Sequence, residues 1–380
     1  MTLPAIDPVT LTAELIRCPS VTPADAGAQV LLGDVLSDLG FEVHHLPFND
    51  VPNLFATIGR GAPHLLFAGH TDVVPPGDSS SWSVDPFAAV TVDGQLIGRG
   101  AADMKSGIAA FVAAVARHRA GGARGGTISL LITGDEEGPA IHGTVRVLDW
   151  ARDQGLVFDG CIVGEPTCPA VLGEMAKIGR RGSLTGRLTV RGRQGHTAYP
   201  ARADNAAHKL VAMLRALIDE PLDAGNERFE PSTLQVATID IGNPATNVVP
   251  GEAKAVFNIR FNDEHDRTSL EALIRRRCAG VASEFALLFE GNADPFLTTP
   301  GRLTELLAEA VESVTGRRPV FSTSGGTSDA RFVSRHCPVV EFGIVGATMH
   351  QSDERVAVRD IEGLTAIYEA FLDRFLRPSP

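Results

Sequence analysis

The chain has 380 residues, of which 44% are hydrophobic and 21% charged, and a formal net charge of −12. That length exceeds what a single hydrophobic core usually serves, so two domains are expected. The acidic balance argues against a general nucleic-acid or anionic-membrane surface, and any anionic substrate would have to be held by local arginines or a metal. No apolar run approaches the roughly 18 residues that span a bilayer. The start, MTLPAIDPVTLTAEL, lacks the basic and apolar regions of a signal peptide. Five cysteines without a C-x-x-C pair suit a reducing compartment and offer no thiolate metal site. A cytoplasmic protein is expected.

Residues 7–17 and 26–39 carry apolar positions at helical spacing, closed by Gly40. Strands are expected at 41–45 and 53–58, leading to HLLFAGHTD at 64–72. There a short apolar run stopped by Gly69 reads as a buried parallel strand, which places His70 and Asp72 at its carboxyl end. Residues two apart in extended chain share a face, so the Asp72 carboxylate can orient the His70 ring, as metal-binding imidazoles usually require. Read alone, the stretch fits a loop histidine and a turn aspartate equally well. After a Pro/Gly/Ser-rich loop at 73–85, a hairpin is expected about Asp93-Gly94.

The segment GRGAADMKSGIAAFVAAVARH (98–118) opens an alanine-rich helix with Asp103 at its boundary, a position that favours a helix cap over a cleft carboxylate. The apolar strand Thr127–Thr133 runs into Asp135, Glu136 and Glu137, and a strand at 161–163 runs into Gly164-Glu165. Consecutive carboxylates at a strand end repel one another and persist most readily beside a cation. Three buried strands thus each deliver a histidine or glutamate just past their last core residue. From 183 to 291 the order strand–helix–strand–strand–helix–strand matches a ferredoxin-like motif. It interrupts an α/β domain that resumes near Asp294 and ends with a helix at 302–315, a strand near 339–342, His350 and a helix near 360–376.

His70, Asp103, Glu137, Glu165 and His350 form an oxygen- and nitrogen-rich set that suits zinc, or cobalt or manganese in its place. Five ligands exceed the three of a usual catalytic zinc and fit two ions sharing one carboxylate. With HTD at 70–72, DEEG at 135–138, GEPT at 164–167 and the late histidine, the whole chain resembles the dinuclear zinc amidohydrolases of the aminoacylase/carboxypeptidase type.

The resemblance implies a mixed, largely parallel sheet sandwiched by helices, like the zinc exopeptidases (residues 1–181 and 295–380). It also implies an inserted ferredoxin-like α+β domain for closure and dimerisation (182–294). Asp103 would bridge two zinc ions per subunit, with cobalt able to substitute. His70 and Glu165 would complete one site, and Glu137 and His350 the other. Glu136 would be the general base and then acid, with Asp72 orienting His70. No G-x-S-x-G elbow offers a covalent route. His196, on its own a surface-loop histidine, would reach a neighbouring subunit's active site, as would Asn247. Arg180, Arg260 and Arg331, with Ser183, Gly326 and Thr327, would bind a small anionic acyl-amino-acid substrate, although each arginine alone also fits a surface ion pair.

One departure is Gly346, where the branch that these segments match commonly has asparagine. Sibling deacetylases, N-acyl-amino-acid hydrolases and metallo-carboxypeptidases would share every metal residue. A non-catalytic metal-binding protein on this scaffold could dispense with Glu136, which is present. Gly98-x-Gly100 followed by Asp103 departs from the dinucleotide fingerprint.

Overall fold

The apolar runs pair into one eight-stranded sheet. Across it the strands are Glu42–His45, Asn53–Gly59, Thr127–Thr133, His64–His70, Gly160–Val163, Val339–Glu341, Met175–Lys177 and Val320–Ser322. The central strands Thr127–Thr133, His64–His70, Gly160–Val163 and Val339–Glu341 run parallel. They are buried along nearly their whole length, as a sheet covered on both faces requires. The computed structural model describes residues 4–122 and 125–377. It divides into two compact units, the first comprising the chain up to Ile178, Thr298–Ser322 and everything from Ser328 on, the second Gly179–Leu297 with Thr323–Thr327.

In the first unit, helix Ser106–Ala120 is buried on nearly every side and packs against helices Pro8–Ile16 and Val358–Phe375. Its alanines explain why: a helix apolar all round belongs in a core, and small side chains let its neighbours approach. Phe67 of the central strand stacks on Phe111 of this helix at 4.1 Å between ring centres, and Tyr368 meets both rings edge-on. The buried Tyr368 hydroxyl donates to the Phe342 carbonyl at 2.6 Å, so the ring is buried without an orphan donor. Helices Ala28–Asp38 and Thr144–Asp153 pack against strand Asn53–Gly59.

The second unit carries an antiparallel sheet in the order Thr233–Asp240, Glu252–Phe261, Gly182–Arg191, Phe285–Ala293. Alternate residues of the central strands, such as Leu184, Leu188, Phe257 and Ile259, join Leu210, Met213 and Ile274 of helices Ala206–Ile218 and Arg267–Ala279 in one core. Period-two burial along these strands leaves the sheet's other face uncovered by that core.

The hairpin pairs Val92 with Gln95 across Asp93-Gly94, both at positive φ as a two-residue turn demands. Helix Thr144–Asp153 and the three-residue strands Met175–Lys177 and Val320–Ser322 were not expected. The short strands carry no apolar run of their own. Pairing with each other and with Val339–Glu341 defines them instead.

Gly107, in the first turn of the alanine-rich helix, meets the end of strand Gly160–Val163. A Cβ there would lie 2.4 Å from the Gly164 carbonyl oxygen, a backbone atom that cannot swing aside. Gly107→Ala is therefore expected to destabilise the protein by about 1–3 kcal/mol, despite alanine's better helix propensity. Urea unfolding checks this, and a variant as stable as the wild type would show that the helix can slide.

Candidate metal centre

The carboxyl ends of the parallel strands gather the predicted donors within the first unit. His70 closes its strand, Glu136 and Glu137 follow Thr127–Thr133 in the turn, and Glu165 follows Gly160–Val163. Asp103 does not cap the helix it precedes. Residues Ala101–Lys105 leave helical geometry at Asp103 and Met104, helix Ser106–Ala120 has no side-chain cap, and the Asp103 carboxylate turns to the strand ends instead. The cap expectation fails because Met104, the first residue such a cap would serve, is not helical, and the Lys105 amide donates to the Gly100 carbonyl at 3.0 Å instead. The amides of Ala102 and Asp103, upstream of any such cap, go to the Glu354 carboxylate at 2.8 and 3.1 Å.

The two oxygens of Asp103 face different imidazoles. Oδ1 lies 3.1 Å from His70 Nε2, and Oδ2 lies 3.2 Å from His350 Nε2. Glu165 Oε1 stands 3.7 Å from His70 Nε2, while Glu137 Oε1 stands 2.8 Å from His350 Nε2. The donors therefore fall into overlapping groups, His70–Asp103–Glu165 and Asp103–Glu137–His350, each tight enough to hold an ion. A third group, His70–Glu136–Glu137, also meets that criterion. His350 adopts a positive φ of 62°, an uncommon setting for a residue with a side chain.

His70 is oriented differently from the expectation. Its Nδ1 hydrogen-bonds the backbone carbonyl of Asp72 at 2.9 Å, with the Asp72 carboxylate farther off at 3.7 Å. That carboxylate is already engaged: it accepts the amide protons of Glu136 and Glu137 at 3.3 and 3.1 Å, fixing the acidic turn. Asp72 thus positions His70 through its main chain and the two glutamates through its side chain. Holding Nδ1 against a carbonyl leaves Nε2 as the free ligand atom.

The electrostatics fit a cation. Burial alone would depress the His70 imidazole, but Asp103, Glu136 and Glu165 carry it well above its usual value. Hydrogen bonds to Asp103 and Glu137 raise His350 to about 10. Burial works to raise Asp103, yet its bonds to His350 and His70 hold it below the ordinary carboxylate range. Burial pushes Glu136 well up, with Asp329, Glu137 and Asp103 adding to the effect against His70. Burial likewise raises Glu165, together with Asp103 and Glu136, and takes Asp72 to about 6. Carboxylates outnumber imidazoles, every donor is oxygen or nitrogen, and divalent ions supply the balancing charge.

The remaining expected residues lie elsewhere. His196 and Asn247 are neighbours on the second unit: Gly195–His196 pairs with Val248–Val249, and Thr197 N–H donates to the Asn247 carbonyl at 3.0 Å. His196 is exposed, and its Nδ1 accepts the Ala198 amide proton at 3.0 Å. Arg180 donates to the Gly326 carbonyl at 3.1 Å, and Ser183 pairs in register with Arg260. Thr327 also belongs to this unit. Arg260 is half-buried near Arg181; burial and that second positive charge lower its pKa. Arg331 belongs to the first unit, where it is buried 3.4 Å from Asp329 and stacks over the Phe332 ring. Asp329 and Glu354 were given no role by the sequence. Both are buried acids, which their exposed-looking sequence contexts conceal.

A model of the family described as Peptidase family M20/M25/M40 matches residues 66–374. The chain belongs to that family. A curated relative from Rhodospirillum centenum, named succinyl-diaminopimelate desuccinylase, is 56% identical over 377 residues, covering 98% of this chain and 98% of its own. An M20 family metallo-carboxypeptidase from Sulfolobus solfataricus superposes with a TM-score of 0.81 at 18% identity, covering 97% of this chain and 99% of its own. A Bacillus subtilis protein described as a dinuclear metal-binding peptidase of the M20 family gives 0.71 at 15% identity, covering 97% and 98%. At such identities these two structures speak for the M20 fold alone: an α/β unit with a largely parallel sheet and an inserted ferredoxin-like unit. Among the described residues, no helix is long and apolar enough to cross a membrane.

The overlap of the three donor groups yields a prediction for this M20 chain. Glu137→Ala should lower metal content below that of the wild type, whereas Glu136→Ala should leave it unchanged, as measured by elemental analysis of dialysed protein. Loss of metal from Glu136→Ala would make Glu136 a ligand.

Proposed function

We propose that this chain hydrolyses N-succinyl-LL-2,6-diaminopimelate to succinate and LL-2,6-diaminopimelate, a step of lysine and diaminopimelate synthesis in the cytoplasm. The observation that carries the reading is identity at more than half of all positions, over nearly the full chain, to a relative of that name. The segments GRRGSL (179–184), RGRQGHTAYP (191–200), SGGTSDARF (324–332) and ATMHQSDERV (347–356) look like that enzyme too. The alternative is an acetylornithine deacetylase, or another N-acyl-amino-acid amidohydrolase or carboxypeptidase of the same family.

In this reading Asp103, with His70 and Glu165 on one side and Glu137 and His350 on the other, would hold two zinc ions, and cobalt could replace zinc. Once bound, the ions supply Lewis acidity, which polarises the amide carbonyl and acidifies water. Glu136 takes the proton from the attacking water and returns it to the departing amine nitrogen. A carboxylate set among those donors can serve both halves of that transfer. The Asp72 carboxylate holds the amide of Glu136, so the base is positioned from the same strand end that carries His70.

Arg180, Arg260 and Arg331 offer the guanidinium groups that a substrate with several carboxylates calls for, and Ser183, Gly326 and Thr327 complete the proposed contacts. The second unit serves closure and homodimerisation in this reading. His196 and Asn247 then act in a neighbouring subunit, His196 as a donor to the developing oxyanion. The exposure of His196 on its two-stranded ribbon supports that assignment.

Metal-dependent amine release from N-succinyl-LL-diaminopimelate should exceed that from N-acetylornithine by about 100-fold or more in kcat/KM. A reversed ratio would select the deacetylase. Cross-subunit action predicts that His196→Ala subunits mixed with Asp103→Ala subunits regain part of the activity each lacks alone, and hybrids without activity would confine His196 to its own subunit.

A further inference from the structure

Beside the candidate centre stands a buried acid that touches no imidazole of the donor set. Glu354 is fully buried, four residues after His350. Its Oε1 accepts the amide protons of Ala102 and Asp103 at 2.8 and 3.1 Å. Its Oε2 takes Nη1 of the buried Arg99 at 2.6 Å, and its own carbonyl accepts the Gly98 amide proton at 2.8 Å. Both main chain and side chain of Glu354 are thus fastened to residues 98–103. Arg99 completes the brace. Nη1 also reaches the carbonyl of Gln351 at 3.3 Å, next to His350, and its guanidinium lies over the Trp82 ring.

A buried carboxylate is costly unless paired, and here it is paired with one guanidinium and two amides. Those amides stand in the first turn of the irregular segment Ala101–Lys105, where no preceding helical turn offers them a carbonyl. Without Glu354 they would be buried donors with no acceptor, and the segment would relax toward a geometry that turns Asp103 away.

We infer that Glu354 is a positioning residue that fixes Asp103 relative to His350, so that the ion held by Glu137 and His350 depends on it more than the ion held by His70 and Glu165. The asymmetry follows from anchorage. His70 ends a buried central strand and is held by the Asp72 carbonyl. His350 sits in a turn at positive φ, half exposed, and Glu354 and Arg99 bind the backbone of that turn to the segment that carries Asp103. The inference rests on the dinuclear reading above.

The test is titration of chelator-treated protein with Zn2+ and, for its absorption spectrum, Co2+. Glu354→Ala should weaken the second ion by about 10- to 100-fold, the usual cost of losing a group that orients a ligand, and the first by less than about threefold. Its kcat should fall with KM nearly unchanged. Glu354→Gln, which keeps an acceptor for the two amides, should recover much of the second affinity. Should Glu354→Ala fail to fold, Glu354→Asp decides, because a side chain one methylene shorter cannot reach both amides and should show the same selective loss.

Equal weakening of both ions, or wild-type affinity for both in the alanine or aspartate variant, overturns the inference. A wild-type protein that binds fewer than two ions refutes the dinuclear reading itself. Two ions in the wild type with unchanged variants refute only the role of Glu354.

Discussion

One carboxylate shared between two imidazoles is the constraint on which the candidate centre depends. Asp103 can face both His70 and His350 only if its oxygens diverge and its backbone sits at the mouth of the sheet, just before a helix that must be buried. Helix Ser106–Ala120 meets that demand by being nearly all small and apolar, so that Gly107 approaches the Gly164 carbonyl. The irregular turn at Ala101–Lys105 then faces the strand ends. A regular helix start there would aim the same side chain at its own amides.

Sheet order does the rest. Thr127–Thr133, His64–His70 and Gly160–Val163 are consecutive parallel neighbours, so their carboxyl ends lie side by side, about 4.8 Å apart in the hydrogen-bonding direction. Whatever follows each strand must crowd into one crevice. Chain order separates the outermost strand ends, His70 and Val163, by some ninety residues, and only the parallel pairing brings the three strands together. The same crowding raises Glu136 and Glu165 through burial and mutual repulsion. That tension is the physical mark of a place prepared for cations.

Much of this was legible from strand-end chemistry. His70, the acidic turn and Glu165 each follow an apolar run, and a polar residue just past a buried strand has few bland explanations. Asp103 was less legible because a helix-boundary aspartate is usually a cap, and what removes it from that role is the irregular backbone of Ala101–Lys105. Glu354 was missed because its partners are some 250 residues away in the chain. In the sequence it stands among Gln351, Ser352 and Asp353, where an acid reads as solvated; its burial is created by Arg99 and the 102–103 amides. Asp72 was placed correctly but its side chain was given the wrong partner. The argument from extended geometry found the right residue, while competition from two nearby amides decided which of its oxygens met the imidazole. The short strands Met175–Lys177 and Val320–Ser322 carry no signal of their own and exist because neighbours offer them edges.

Residues of two kinds differ in how legible they are. Metal chemistry requires particular atoms at particular spacings, so its residues announce themselves by type and by their place after core strands. Recognition of an acyl chain needs only cations and a shape, and arginines on antiparallel strands look alike whether they face solvent or substrate. Arg331 illustrates the point. Beside Asp329 and over Phe332 it is a buried, stacked guanidinium, held in a fixed plane that suits bidentate contact with a carboxylate. Nothing in SGGTSDARF distinguishes that arginine from a surface one until the strand Val339–Glu341 and its neighbours close around it. The fold therefore persists among relatives of low identity, whereas the surroundings of a side chain such as Arg331 are supplied only by the folded chain.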